Sequence, residues 1–371
     1  MRFAFCLFKY FPFGGLQRDF LQIAKACHIR GHQVDVYTSA WQGEIPAGLK
    51  VSIVLVRGVS NHRRCESFAE RLKQCLAPKH YDAVIGFNKM PGLDVYFAAD
   101  PCFAAKALKR SIWYRLTPRC RSFLRLEQAV FGKDSNTRIL LISEEEKAFF
   151  MDYYGTAEQR FHLLPPGIAV DRLIPHNAHD IRAALLGELG IGSDRDVVLM
   201  VGSRFKTKGV DRAIRAMSSL PLELREKTTL LIVGEDNAKP FLRLAKRFGV
   251  ADQTLFVGGR EDVPRFLAAS DLLLHPAYHE TAGMVLIEAM AAGLPVLATD
   301  VCGYSHRVEH AGAGELIPSP FKQETLNQLL ASMLTSEKRN QWQQNGKEYV
   351  ANTDVFSLSQ KAADIIEQAA A

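Results

Sequence analysis

The 371-residue chain is too long for one ordinary hydrophobic core and suits two domains of average size. It is 47% hydrophobic and 23% charged with no low-complexity tract, a composition that excludes disordered and fibrous classes and fits a soluble globular protein. Formal net charge is +6, and no internal period of roughly 20–50 residues recurs, which excludes a solenoid.

Phe3–Phe8 reads as a buried strand behind Arg2; its apolar run stops at Lys9, short of the roughly 7–15-residue core of a signal peptide. Gly14-Gly15 then marks a turn, Leu16–Arg30 a helix ended by Gly31, and Gln33–Thr38 the next strand. This βαβ opening predicts a parallel sheet covered on both faces by helices. Tyr81–Phe87 and Arg138–Ser143 continue as strands, the second followed by a helix over Glu144–Tyr154.

Pro165-Pro166-Gly167 and the polar segment Asp171–Asp180 place a domain boundary, giving 1–168 and 169–353. The second domain repeats the pattern: strand Val197–Val201, loop Gly202–Gly209, helix Val210–Leu220, then strands Thr229–Val233, Thr254–Val257, Asp271–His275 and Pro295–Ala298. Residues 354–371 add a terminal amphipathic helix, about Ser357 to Ala370, whose docking site stays open. The predicted class is α/β, two doubly wound Rossmann-like domains facing a central cleft, with ligands beyond the carboxyl ends of the strands.

The longest apolar stretch, Gly283 to Leu297, carries Glu288 and the breaker Gly293-Leu-Pro295, so it is not a membrane span. Seven scattered cysteines without a CxxC spacing imply reduced thiols in a cytoplasmic protein, with neither a metal site nor a disulfide framework.

Candidate chemistry concentrates at the ends of predicted strands. Gly14-Gly15-Leu-Gln-Arg-Asp19 opens a helix, where glycines admit a close ligand and the helix start favours negative charge, but it lacks the GxGxxG order. Gly202-Ser-Arg-Phe-Lys-Thr-Lys-Gly209 gathers Arg204, Lys206 and Lys208 without the P-loop order; three cations there suit a diphosphate, and a solvated loop is the plain alternative. Asp194-Arg-Asp196 precedes a strand, at the wrong end of a sheet for a metal-binding DxD. His275 and His279 flank a loop whose Pro276 argues against a helical metal pair. In that loop and the helix after it, Glu280 and Glu288 bracket seven residues. Two carboxylates for sugar hydroxyls and the unpaired N–H groups of a helix start for phosphate suit a nucleotide-sugar. Glu288 lies in a helix apolar nearly all round, so its carboxylate needs a partner.

Glu280…Glu288 with Ala289-Met-Ala-Ala-Gly-Leu-Pro-Val296, together with Gly202…Lys208-Gly209 and Gly14-Gly15, resembles the retaining GT-B glycosyltransferases of family 4, in the right order over essentially the whole chain. Lys9-Tyr-Phe-Pro-Phe-Gly-Gly-Leu-Gln-Arg-Asp-Phe20 and Gly86–Asp100 narrow the likeness to lipopolysaccharide-core glucosyltransferases within it. The resemblance implies UDP-glucose as donor, an inner-core heptose as acceptor and no metal cofactor. It implies that Glu280 binds donor hexose hydroxyls and Glu288 the ribose, and that Thr281, Ala282, Gly283, Met284 and Val285 present N–H groups to sugar and phosphate. Lys208 and Arg172, helped by Arg204, would bind the diphosphate, although the family often spaces its Arg and Lys five apart rather than four. The loop Gly258-Gly-Arg-Glu-Asp262-Val263 would hold uracil mostly through backbone, while Gly15 and Asp19 close over the donor with Asp100 nearby. Glu280, Lys208, Asp19 and Asp100 are thus the catalytic candidates.

Between Cys102 and Phe131, Lys106, Lys109, Arg110, Arg115, Arg119, Arg121 and Arg125 face the single acid Glu127, a formal +6 equal to that of the whole chain. Composition alone leaves nucleic acid, an anionic membrane surface and a solvated helix as readings. The transferase likeness, with its lipid-anchored acceptor, selects docking on the cytoplasmic face of the inner membrane and no nucleic acid. Another nucleotide-sugar transferase acting on a lipid-linked glycan is the alternative; a nucleotide-sugar epimerase or hydrolase and a non-catalytic lipopolysaccharide-binding scaffold are rivals.

Overall fold

The computed structural model describes residues 1–12 and 14–371, so Phe13 of the Lys9–Phe20 string lies outside the described residues. Every pair of neighbouring strands among these residues runs parallel, as their continuous apolar runs predict. The first sheet contains β1 (Arg2–Leu7), β2 (Gln33–Thr38), β3 (Leu49–Ile53), β4 (Ala83–Gly86), β5 (Val95–Ala98), β6 (Arg138–Leu141) and β7 (Phe161–Leu163), ordered β3-β2-β1-β4-β5-β6-β7. The second contains β8 (Asp196–Val201), β9 (Thr228–Val233), β10 (Thr254–Phe256), β11 (Leu272–His275), β12 (Val296–Thr299) and β13 (Gly314–Ile317), ordered β10-β9-β8-β11-β12-β13. Strand order reverses between β1 and β4 in one sheet and between β8 and β11 in the other. Such reversals open a crevice at the carboxyl ends of the strands.

Two compact units result. One joins Met1–Pro165 to Ser357–Ala371, and the other is Pro166–Phe356. They part three residues before the boundary expected after residue 168. The terminal helix Leu358–Ala370 belongs to the first unit, against the Gly15–Ile29 helix. Arg30 donates to Asp364 at 2.7 Å and to Glu367 at 3.0 Å, and His32 Nε2 stands 2.6 Å from Glu367.

The basic segment folds into three short helices: Phe103–Leu108, Ile112–Arg115 and Pro118–Phe131. The Thr117 hydroxyl accepts from the Cys120 N–H at 3.2 Å and Pro118 takes the first helical position, where a missing N–H costs nothing. Glu127 is not a surface counter-charge. It is fully buried and accepts from the N–H groups of Phe103 and Ala104 at 2.8 and 2.9 Å, from the Tyr154 hydroxyl at 2.6 Å and from Lys89 Nζ at 2.5 Å. One carboxylate thus caps the first of the three helices from the last of them. Glu127→Ala should lower urea stability by about 3–5 kcal/mol, because it leaves the Lys89 ammonium and two N–H groups without their acceptor. A loss under about 1 kcal/mol, typical of an exposed pair, would contradict this role.

Candidate active site

The second unit assembles its site where β8 and β11 lie side by side. β11 ends at His275, Pro276 prevents its continuation as a helix, and the helix starts only at Met284, four residues beyond Glu280. Gly283 bridges loop and helix at φ +85°, a left-handed conformation that glycine adopts without strain. Val285 through Ala291 are all buried, so this helix is core on every side, and Glu288 within it is 4% exposed.

Glu288 obtains the partner its burial demands. Arg172, at the end of the one-turn helix Val170–Arg172, is 9% exposed and brings Nε to 3.7 Å from Glu288 Oε1. Its Nε and Nη1 are buried and make no hydrogen bond among the described residues. That geometry leaves donors for a further anion.

Glu280 is held from two directions. Lys208 Nζ forms an ion pair with its Oε2, and His275 Nε2 lies 3.4 Å from the same oxygen. Burial alone would push the Glu280 carboxyl up; the His275 contact and the Lys208 charge overcome it and hold the group at about 2. Burial pushes the His275 imidazole down, against Glu280 and together with Lys208. Lys208 reaches this position because its loop lies against the loop after β11: a Cβ at Gly209 would collide with the Pro276 carbonyl. Phe205, 1% exposed, anchors the same loop in the hydrophobic core, and its N–H donates to Asp236 at 2.7 Å.

Other expected residues fall into place differently. Arg204 is exposed, with φ 60°, the one positive φ at a non-glycine position among the described residues. Lys206 does not join Lys208: Asp211 holds it at 2.7 Å and the Tyr278 hydroxyl lies at 3.1 Å, while its side chain stays largely exposed. Thr281 and Ala282 continue the loop, with the Ala282 carbonyl accepting from the Tyr304 N–H at 2.7 Å. Asp262 precedes the Val263–Ala268 helix, its carboxylate gripped by Arg260 at 2.8 Å and Arg265 at 2.9 Å. The Arg260 hydrogen bond outweighs burial and, with Arg265, draws this carboxyl down to about 2. Asp262 therefore stiffens its loop. Asp196 begins β8, at the opposite end of the strand from this site, and pairs with Arg339 at 2.9 Å.

Gly15, Asp19 and Asp100 belong to the first unit. Gly15 opens the helix after β1, Asp19 is 5% exposed with Arg18 Nε at 3.8 Å, and Asp100 is exposed beyond the carboxyl end of β5. Of the basic side chains, Lys106, Lys109, Arg110, Arg119, Arg121 and Arg125 are exposed, while Arg115 is half-buried and donates to the Arg110 carbonyl at 3.2 Å. Arg125 forms an ion pair with Glu66. Leu108, Ile112, Trp113 and Leu116 are exposed among them, Trp113 at 78%. Among the described residues no three His, Cys, Asp or Glu side chains are grouped to hold a metal ion, and no helix is long and apolar enough to cross a membrane.

His275 is the site residue that sequence reasoning missed, having weighed it only as a metal ligand. Its signal was the position itself: an imidazole closing the apolar strand Leu272-Leu-Leu-His275, five residues before Glu280.

Two doubly wound units and a donor-type site at a strand-order reversal define a GT-B glycosyltransferase. Residues 13–172 match the family described as Glycosyltransferase Family 4, and 182–349 the one described as Glycosyl transferases group 1. The lipopolysaccharide glucosyltransferase WaaG of Escherichia coli (strain K12) is 46% identical over 365 residues, covering 98% of each chain. The crystal structure of WaaG, a glycosyltransferase involved in lipopolysaccharide biosynthesis, aligns with a TM-score of 0.95 at 45% identity, over 98% of this chain and 99% of that one. A sucrose-phosphate synthase from Thermosynechococcus elongatus shares the fold at 20% identity, with a TM-score of 0.78 over 99% of this chain and 97% of that one. The chain belongs to the group 1 glycosyltransferases of the GT-B fold and is an enzyme that transfers a sugar.

A carboxyl whose folded pKa is depressed stabilises the fold above its unfolded value and loses that contribution as pH falls through the folded value. For Glu280 the window runs from 4.5 down to about 2. Across it, Glu280→Gln should lose less urea stability than the wild type. Equal losses in the two proteins would show that Glu280 is not held as described.

Proposed function

We propose that the chain moves glucose from UDP-glucose to an inner-core heptose of lipopolysaccharide, with retention, on the cytoplasmic face of the inner membrane. The observation that carries the donor half is the pairing of Lys208 with Glu280 and Arg172 with Glu288 beside one strand-order reversal. Each pair joins a carboxylate suited to sugar hydroxyls to a cation suited to a phosphate. Relatedness to the lipopolysaccharide glucosyltransferase WaaG supports the sugar and the acceptor.

Glu280 takes hydroxyls of the transferred hexose, and Glu288 those of the ribose. Lys208 and Arg172, with Arg204 at the loop's edge, bind the diphosphate; Thr281 to Val285 offer backbone N–H groups to it and to the sugar. The backbone from Gly258 to Val263 receives uracil, which a loop stiffened by Asp262 between two guanidiniums suits. Gly15, Asp19 and Asp100, which lie in the first unit, are the remaining residues to which the resemblance assigns a part in the reaction. Reaction proceeds on the face that UDP leaves: the departing diphosphate accepts the acceptor's proton while Lys208 and Arg172 stabilise its growing charge. The reading needs no metal, since these side chains supply the positive charge.

Docking rests on the exposed cations of residues 106–125 with Ile112 and Trp113 exposed between them. Apolar side chains that enter the interface and cations that meet anionic headgroups fit a membrane surface better than nucleic acid.

UDP release with a panel of UDP- and GDP-sugars, with and without core saccharide, tests the transfer. Acceptor-dependent release from UDP-glucose is expected, and Glu280→Ala should slow it by about 100-fold or more while the fold survives. A near-normal rate in that variant would sink the site. Neutralising Arg115, Arg119 and Arg121 should weaken binding to anionic vesicles by about 100-fold, at about 1 kcal/mol per basic residue. Unchanged vesicle affinity would give the patch another task.

A further inference from the structure

We propose that His275 is a positioning residue for the transfer: its imidazole steadies the Oε2 oxygen of Glu280 alongside Lys208, so that the other carboxylate oxygen is left to the donor sugar. The inference rests on the reading of Glu280 as the donor-sugar contact and adds what fixes that side chain.

Location is the first support. His275 ends β11 behind three leucines and is fully buried, a position where an apolar side chain would pack without desolvating two ring nitrogens. Neither ring nitrogen makes a hydrogen bond among the described residues, and Nε2 faces Glu280 Oε2 at 3.4 Å. Contacts of this kind are often long in unliganded sites and tighten when the reacting complex forms.

The second support is the distribution of contacts over the carboxylate. Lys208 and His275 both meet Oε2. Two constraints on one oxygen fix the rotation of the carboxylate without occupying its partner oxygen.

Charge is the third. Lys208 and Glu280 act on His275, and the thiol of Cys302 lies near Glu280 and Lys208, with Asp300 close to Cys302. Burial, with help from Glu280, keeps the thiol protonated, pushed up to about 12. Burial also keeps the imidazole neutral, with Lys208 adding to it. A neutral ring with its proton on Nε2 offers the carboxylate a donor without setting a second cation against Lys208.

Kinetics of the full chain with UDP-glucose and core saccharide test the proposal. His275→Leu should lower kcat by about 10- to 100-fold with KM for UDP-glucose changed by less than about threefold, and His275→Gln, which keeps an N–H donor, should recover most of the rate. The acid limb of kcat/KM should move to higher pH in His275→Leu and stay in place in His275→Gln, because Glu280 loses a stabilising contact only in the first. A normal rate and an unmoved acid limb in His275→Leu would overturn the proposal, as would equal impairment of both variants with unmoved limbs. Nitrogen NMR of the histidines in the wild-type protein gives an answer that needs no variant. The Nε2–H tautomer, with a resonance that shifts on adding UDP-glucose, is expected; an Nδ1–H tautomer overturns it. Glu280→Ala at full rate would defeat the underlying reading of the site. An inactive Glu280→Ala beside a fully active His275→Leu would defeat only the role of His275.

Discussion

The second unit is organised around the cost of burying carboxylates. Glu288 lies on a helix whose other side chains are almost all core, and an ionised carboxylate left alone there would cost several kcal/mol. Arg172 answers that cost, and its own guanidinium is thereby committed to a buried position. Glu280 repeats the arrangement with Lys208 and His275. These pairings draw the segment before the second sheet, the loop after β8 and the loop after β11 to one place. The charges are therefore gathered by the fold itself, the condition under which electrostatic stabilisation needs no reorganisation.

A related device shapes the first unit. Glu127 is the only acid in a segment of seven cations, and the fold puts it inside, against Lys89, Tyr154 and two backbone N–H groups. Burying the acid removes negative charge from the surface of the segment and ties its first and last helices together. The exposed cations consequently sit beside exposed Ile112 and Trp113, with Glu66 paired to Arg125. A buried structural carboxylate is what makes the surface so basic.

The parallel sheets, the glycine turns and the pair of glutamates were legible because each rests on local pattern: apolar runs, turn residues and fixed spacing. β3, β5, β7 and β13 were not foreseen. β3 and β7 are short edge strands only partly buried, and β13 is another edge, so none carries the long apolar run that marks a central strand. β5 is four buried residues reached from β4 without an intervening helix, which removes the usual βαβ punctuation. Partnerships were less legible than positions. That Glu288 needed a partner followed from its apolar neighbours; that Arg172 would be the partner depended on a tertiary contact. Lys206 looked equivalent to Lys208 in the string, yet Asp211 and Tyr278 withdraw it. The terminal helix had an amphipathic pattern but no address until Arg30 and His32 supplied one.

Topology explains how Lys208 and Glu280 come together in the second unit. β8 and β11 are neighbours in the sheet although a long stretch of chain separates them, and at their reversal the following loops open apart at the carboxyl ends. Lys208 comes from one loop and Glu280 from the other, so their pairing closes the crevice across the reversal. Glu288 lies about one turn into the helix that follows, so loop and helix together set its distance from Glu280. Both pairs, Lys208 with Glu280 and Arg172 with Glu288, are built wholly from residues of the second unit, while the basic helices belong to the first.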